Sequence, residues 1–191
     1  MDIRTKEILK FVFNIAFAIY NCVLGIASYS RWFVCVGAYY IVLGSMRIFV
    51  IAFGSKERKN EKFIMRFSGV LVFLLSIVLS GIVYMTVKQN VAVKYHEIAM
   101  ITIATYAFTK LGLAIYEYLK SRKTHSPYLK TLTSISFSDA VVSIYSLQRS
   151  MLVSFGGMAY KDITLFNILS GIGMCIVVFL IGFNLITGKE N

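Results

Sequence analysis

The sequence predicts an all-α polytopic membrane protein: one bundle of six transmembrane helices forming a single domain over residues 1–191. Three observations carry this. Six mostly apolar runs each reach the ~20 residues that cross a bilayer as a helix. Hydrophobic residues make up 58% of the chain and the mean hydropathy is +0.72, against about 45–50% apolar residues in a soluble domain. Most charged residues fall in short gaps between the runs. Helix rather than strand follows from run length and from the need to satisfy backbone groups within each segment.

The first run, Ile8–Ser28, follows a basic segment, Met1–Lys10, and Gly25-Ile-Ala27 resembles a cleavage site. The run exceeds the roughly 7–15 residues of a signal-peptide core, so it is read as a mature helix. Asn14 and Asn21 share one of its faces with Ala18 and Gly25. The second run, Trp32–Phe53, places Gly37, Tyr40, Gly44 and Arg47 on one face, because residues three and four apart are stacked along a helix. The third is Phe63–Val87, and the fourth, Ile98–Leu119, contains Lys110. The sixth, Ile163–Thr187, sets Asn167 and Asn184 around Ser170-Gly171, Gly173 and Cys175. Small residues with scattered amides read first as close helix contacts with polar glue, and second as a cavity lining. Tyr29, Trp32 and Tyr160 lie near the expected interfaces and read as anchors.

The fifth run, Leu132–Phe155, cannot sit in lipid without help. Ser136, Asp139, Ser143, Ser146 and Ser150 form one polar stripe, opposite Ile135, Val141, Val142, Leu147, Met151 and Leu152. A lone acid at mid-bilayer costs roughly 2.5–3.5 kcal/mol on the mild insertion scale, so it faces the protein interior or a hydrated cavity. The other helices are therefore expected to surround this one. One reading makes the stripe a polar path or small site; the other makes it a bundle contact held by serines and an ion pair.

The formal net charge of +11 reads as topology rather than nucleic-acid binding, because short loops carry it. With the N-terminus inside, thirteen Lys and Arg residues fall on the cytoplasmic side and five outside: Arg31, Lys88, Lys94, Arg149 and Lys161. A multi-pass protein of the cell (plasma) membrane with both termini cytoplasmic is expected. Arg47, Lys110 and Asp139 lie within runs, some six, nine and seven residues from the inner ends. That places all three roughly 9–14 Å above the inner boundary. Asp139 is then expected to pair with Lys110 or Arg47. Two cations and one acid leave a net positive site, which attracts an anion unless Arg47 snorkels to the headgroups.

The first three helices faintly echo the last three. Gly25-Ile-Ala27-Ser-Tyr29 resembles Gly112-Leu-Ala114-Ile-Tyr116; Ala38 and Arg47 fall in register with Ala140 and Arg149, and Ser68-Gly69 with Ser170-Gly171. Three helices per unit require inversion of the second, a transporter architecture with its site between repeats near the midplane. Small residues also recur in membrane helices for packing alone.

No phosphate loop, HExxH, GxSxG or paired carboxylates are found, and no His lies near the serines, so no enzyme is expected. His96 and His125 read as loop residues. Cys22, Cys35 and Cys175 are odd in number and far apart, implying no disulfide framework. No metal or cofactor is expected. Trp32–Arg47 and Ser126–Gly156 resemble small six-helix membrane proteins of Gram-positive gut bacteria. The resemblance covers most of the chain and implies a location without a mechanism.

The leading functional expectation is a small transporter or permease with a polar site of Asp139, Lys110, Arg47, Ser143 and Ser146, seconded by Asn14, Asn21 and Arg149. Asp139 is the coupling or ligand residue, and the two cations set its counter-charge. The expected partners are the lipid bilayer and a small polar or anionic solute, without nucleic acid. The alternative is a non-transporting scaffold or accessory subunit of a larger membrane complex. A channel comes third, for want of a visible pore ring.

Overall fold

A computed structural model describes residues 3–27, 29, 31–53, 58–89, 97–122, 126–154 and 160–188. They form six helices: α1 (Ile3–Ala27), α2 (Arg31–Phe53), α3 (Arg58–Gln89), α4 (Glu97–Arg122), α5 (Pro127–Ser154) and α6 (Tyr160–Thr187). No strand occurs among the described residues. His96, His125 and the side chains of Trp32 and Tyr160 lie outside them. Helix lengths of 23–32 residues correspond to about 35–48 Å, enough to cross the ~30 Å hydrocarbon layer.

Four helices, α1, α2, α3 and α6, are both long and apolar enough to cross a membrane. That is compatible with a membrane protein. α4 and α5 have the length without the apolarity: α4 carries Lys110, Glu117 and Lys120, and α5 carries Lys130, Asp139 and Arg149. Lys110, Glu117 and Asp139 pair within the bundle. The start of α1 and the end of α6 lie at one end. There Arg47, late in α2, reaches Glu7, early in α1. The Thr133 hydroxyl of α5 donates to Ser121 Oγ of α4 at 2.9 Å. Gly188 lies beside Met65, early in α3.

α5 sits at the centre, buried on most of its faces, and packs on α2, α3, α4 and α6. The main core joins Tyr39, Leu43 and Val50 of α2, Val72, Leu75 and Leu79 of α3, Ile135 of α5, and Val178 and Leu185 of α6. A smaller cluster joins Met100 and Ala107 of α4 to Leu147 of α5. α1 and α4 are peripheral. Each leans its backbone on one neighbour, α1 on α2 and α4 on α5.

Glycines set the closest crossings. A Cβ on Gly25 would meet Val34, and one on Gly37 would strike the Cys22 thiol, so α1 and α2 pack nearly backbone to backbone. α3 and α6 cross as tightly. A Cβ on Gly182 would lie 2.8 Å from Phe73 N and 3.2 Å from Gly69 O, backbone atoms that cannot move aside. Gly182→Ala should therefore lower stability by about 1–3 kcal/mol, read as a lower unfolding midpoint in detergent. Gly173→Ala, whose Cβ would meet nothing within 4 Å, should leave the midpoint unchanged or slightly higher. Gly112 also faces open space, whereas Gly25 is buried against α2. The likeness between the Gly25–Tyr29 and Gly112–Tyr116 segments is therefore not matched in their packing. Just past α1, Tyr29 has a left-handed φ of 50° and its N–H donates to the Ile26 carbonyl at 3.3 Å, as in a helix C-terminal cap.

Candidate functional site

The polar stripe of α5 lies on one face, as its spacing requires, and that face looks into the space between α1 and α4. Asp139 is its centre. Lys110 Nζ of α4 donates to Asp139 Oδ1 at 2.8 Å and to Ser143 Oγ at 2.9 Å. Ser143 in turn donates to the Asp139 carbonyl at 2.9 Å, and its hydroxyl lies 3.5 Å from Tyr40 OH of α2. Arg47 Nη2 stands 3.9 Å from Asp139 Oδ2. The expected pairing of Asp139 is thus resolved by distance: Lys110 is the direct partner and Arg47 the second.

Arg47 does not snorkel. Its side chain is 0% exposed, and Glu7 of α1 accepts from its Nη1. Ser136 Oγ accepts from the same nitrogen at 3.3 Å. A guanidinium so deep is tolerable only with carboxylates beside it, and α1 and α5 supply one each. Lys10 extends the chain of charges. Its Nζ donates to Glu7 Oε1 at 2.8 Å and to Glu117 Oε2 of α4 at 2.7 Å. The centre is therefore not two cations and one acid. Glu7, Glu117 and Asp139 face Lys10, Arg47 and Lys110 in a network that is formally neutral.

Sequence reasoning missed Glu7, Lys10 and Glu117 because they fall at the ends of apolar runs, where a charge reads as solvated. One signal was present. Glu7, Lys10 and Asn14 are spaced three and four apart, and Lys110 and Glu117 seven apart. Each set therefore occupies one helix face.

The remaining candidates divide. Asn14 is 4% exposed, and its Nδ2 has no hydrogen-bond partner. It borders two cavities next to the network. Asn21 is equally buried, but its amide donates to the Phe17 carbonyl within its own helix at 2.7 Å. It takes no part in the site. Arg149, counted by position among the outer loop charges, is only 2% exposed within α5. It does not contact the Asp139 network. Ser146 and Ser150 border the cavity at the end of the stripe away from the termini.

Three cavities follow one another along the α1–α4 space. The one nearest the termini, about 270 Å³, is bordered by Lys6, Glu7, Glu117 and Lys120. The middle one, about 240 Å³, reaches Lys10, Arg47, Lys110 and Asp139. The third, about 350 Å³, has Tyr40, Ser143, Ser146 and Ser150 on its floor. Glu117 and Leu113 border the first two, and Phe13, Asn14, Tyr106 and Lys110 the last two. Together they make one groove. Among the described residues no group of three or more His, Cys, Asp or Glu is placed to hold a metal ion.

No protein-family model matches the chain, and neither does any curated protein or solved structure.

Proposed function

We propose that the protein is a small permease of the plasma membrane, with six spans, both termini cytoplasmic, and a transport path along the α1–α4 groove. The observation that carries this reading is the position of the charge network. Its members line an open groove, which Asn14, buried with its Nδ2 unpartnered, also borders. Intramembrane ionisable groups at a cavity mark substrate or ion pathways. The side of the termini follows from the excess of Lys and Arg in the gaps on their side.

The architecture proposed is a 3+3 inverted repeat with an offset of 102 positions between α2–α3 and α5–α6. Contacts across the α3–α6 crossing support it. Gly69 faces Leu185 and Gly171 faces Val83, and each residue of the second pair lies 102 positions from its counterpart in the first. Gly182 faces Phe73, and their counterparts at that offset are Ser80 and Cys175. Arg47 and Arg149, in the same register, are both buried. Such an arrangement puts the two-fold axis in the membrane plane, as in inverted-repeat transporters.

A second reading, a scaffold or accessory subunit, draws on one observation: each charge in the network has an opposite charge within 3.9 Å. Water accessibility separates the two. With Cys22, Cys35 and Cys175 replaced by Ser, single cysteines at Ser143 and Ser146 should react with a membrane-impermeant thiosulfonate. A cysteine at Val142, 3% exposed, should not. Failure of both groove positions to react from either side would leave only the scaffold.

Asn14 gives a further test. A buried polar group without a partner costs about 1–3 kcal/mol, so Asn14→Leu should match or exceed the parent in stability while slowing transport. A loss of stability would make the amide structural.

A further inference from the structure

Resting on the transport reading, we infer that the substrate of this groove is a phospholipid, its phosphate-bearing head moving along the α5 floor while its chains stay in the bilayer. The groove has a side as well as two ends. The backbones of α1 and α4 do not pack on each other, and the rims they present are apolar and exposed. Phe13 and Phe17 stand on α1, 57% and 47% exposed, and Tyr106 and Leu113 on α4, 55% and 58%. In a bilayer these rims meet acyl chains. A water-soluble solute would face hydrocarbon along its whole path. An amphiphile fits both surfaces, head on the floor and tails past the rims.

The floor matches a phosphate in charge and in donors. Five cations, Lys6, Lys10, Arg47, Lys110 and Lys120, border the groove with three carboxylates, a formal excess of two positive charges among the described residues. Lys6 and Lys120 sit at the end where a head would enter from the termini side. Asn14, whose Nδ2 is buried and unpartnered, borders the groove midway. The hydroxyls of Ser143, Ser146 and Ser150 continue the polar track beyond the charges. From Thr133 to Ser150 the bordered part of α5 covers about 26 Å, close to the ~30 Å hydrocarbon thickness. Once the Lys10–Glu117 pair that bridges α1 and α4 parts, a head can therefore cross without leaving polar contacts for more than a short step.

The test uses the full chain reconstituted in vesicles of phosphatidylcholine and phosphatidylglycerol. A trace of phosphatidylglycerol labelled on its acyl chain with a dithionite-quenchable dye reports movement between leaflets. Uptake of radiolabelled glycerol 3-phosphate, a head without tails, is measured in parallel. Protein-dependent quenching of the inner-leaflet dye, without uptake of the soluble phosphate, is the expected result. Ser146→Trp should reduce that exchange to the rate of protein-free vesicles, and Ser150→Phe serves where the tryptophan variant does not fold. Leu180→Trp, on the exposed face of α6, should exchange lipid as the parent does. Uptake of glycerol 3-phosphate without lipid exchange would overturn the lipid substrate and leave the permease standing. Neither activity would overturn both, and equal exchange by the parent and both groove variants would remove the path from the groove.

Discussion

Asp139→Asn should destabilise the protein by about 3–5 kcal/mol, the usual result of removing one partner of a buried ion pair. Asp139 is 3% exposed at its side chain and answers two cations, Lys110 at 2.8 Å and Arg47 at 3.9 Å. Asparagine keeps the shape and one acceptor oxygen but removes the charge. Lys110 retains Ser143 and some exposure, at 21% of its side chain. Arg47 retains Glu7. The cost should therefore exceed that of a surface pair, worth about 0–1 kcal/mol, and should not abolish insertion into the membrane. Asp139→Asn with Lys110→Met should recover part of the loss, because the unanswered ammonium goes with it. The check is the unfolding midpoint of the purified single and double variants. A double variant no better than the single would deny the pairing.

The second large effect is expected at a residue near the start of the chain. Glu7→Gln should destabilise by a similar 3–5 kcal/mol, although its position invites reading as a dispensable tail. Glu7 is 5% exposed and joins Arg47 to Lys10, which continues to Glu117. Without its charge, a fully buried guanidinium depends on Asp139 at 3.9 Å and on the Ser136 hydroxyl. Lys6→Gln, one residue away and exposed, should cost less than about 0.5 kcal/mol, as surface substitutions do. Thermal unfolding of both variants in one detergent compares them directly. Equal, small losses would show that Arg47 does not need Glu7.

Four of the helices, α1, α2, α3 and α6, were legible because apolar runs of membrane length leave little choice of structure; α4 and α5 formed as helices too, without the apolarity expected of them. The face of α5 was legible as well, since Ser136, Asp139, Ser143, Ser146 and Ser150 repeat at helical spacing. Common depth brought Lys110 and Arg47 to Asp139 without any knowledge of neighbours. Beyond that, single-helix reasoning gave out. Whether Glu7 and Glu117 meet solvent or the cations of neighbouring helices depends on how far α1 and α4 extend past their apolar cores and on which helices face each other. Neither is encoded in one run. The groove was hidden for the same reason, being a space between two helices distant in sequence. Arg149 misled in the opposite direction: a cation five residues from the end of α5 reads as a loop charge, yet neighbouring helices bury it.

The intimate crossing of α3 with α6 has a consequence for biogenesis. Phe73 and Gly182 meet there through backbone atoms, yet the second is synthesised more than a hundred residues after the first. While the ribosome is still translating, the face of α3 that meets α6 stays uncovered until α6 has been made. Closure of that crossing is thus tied to synthesis of α6. A chain interrupted before α6 would leave that face open for quality-control machinery to read.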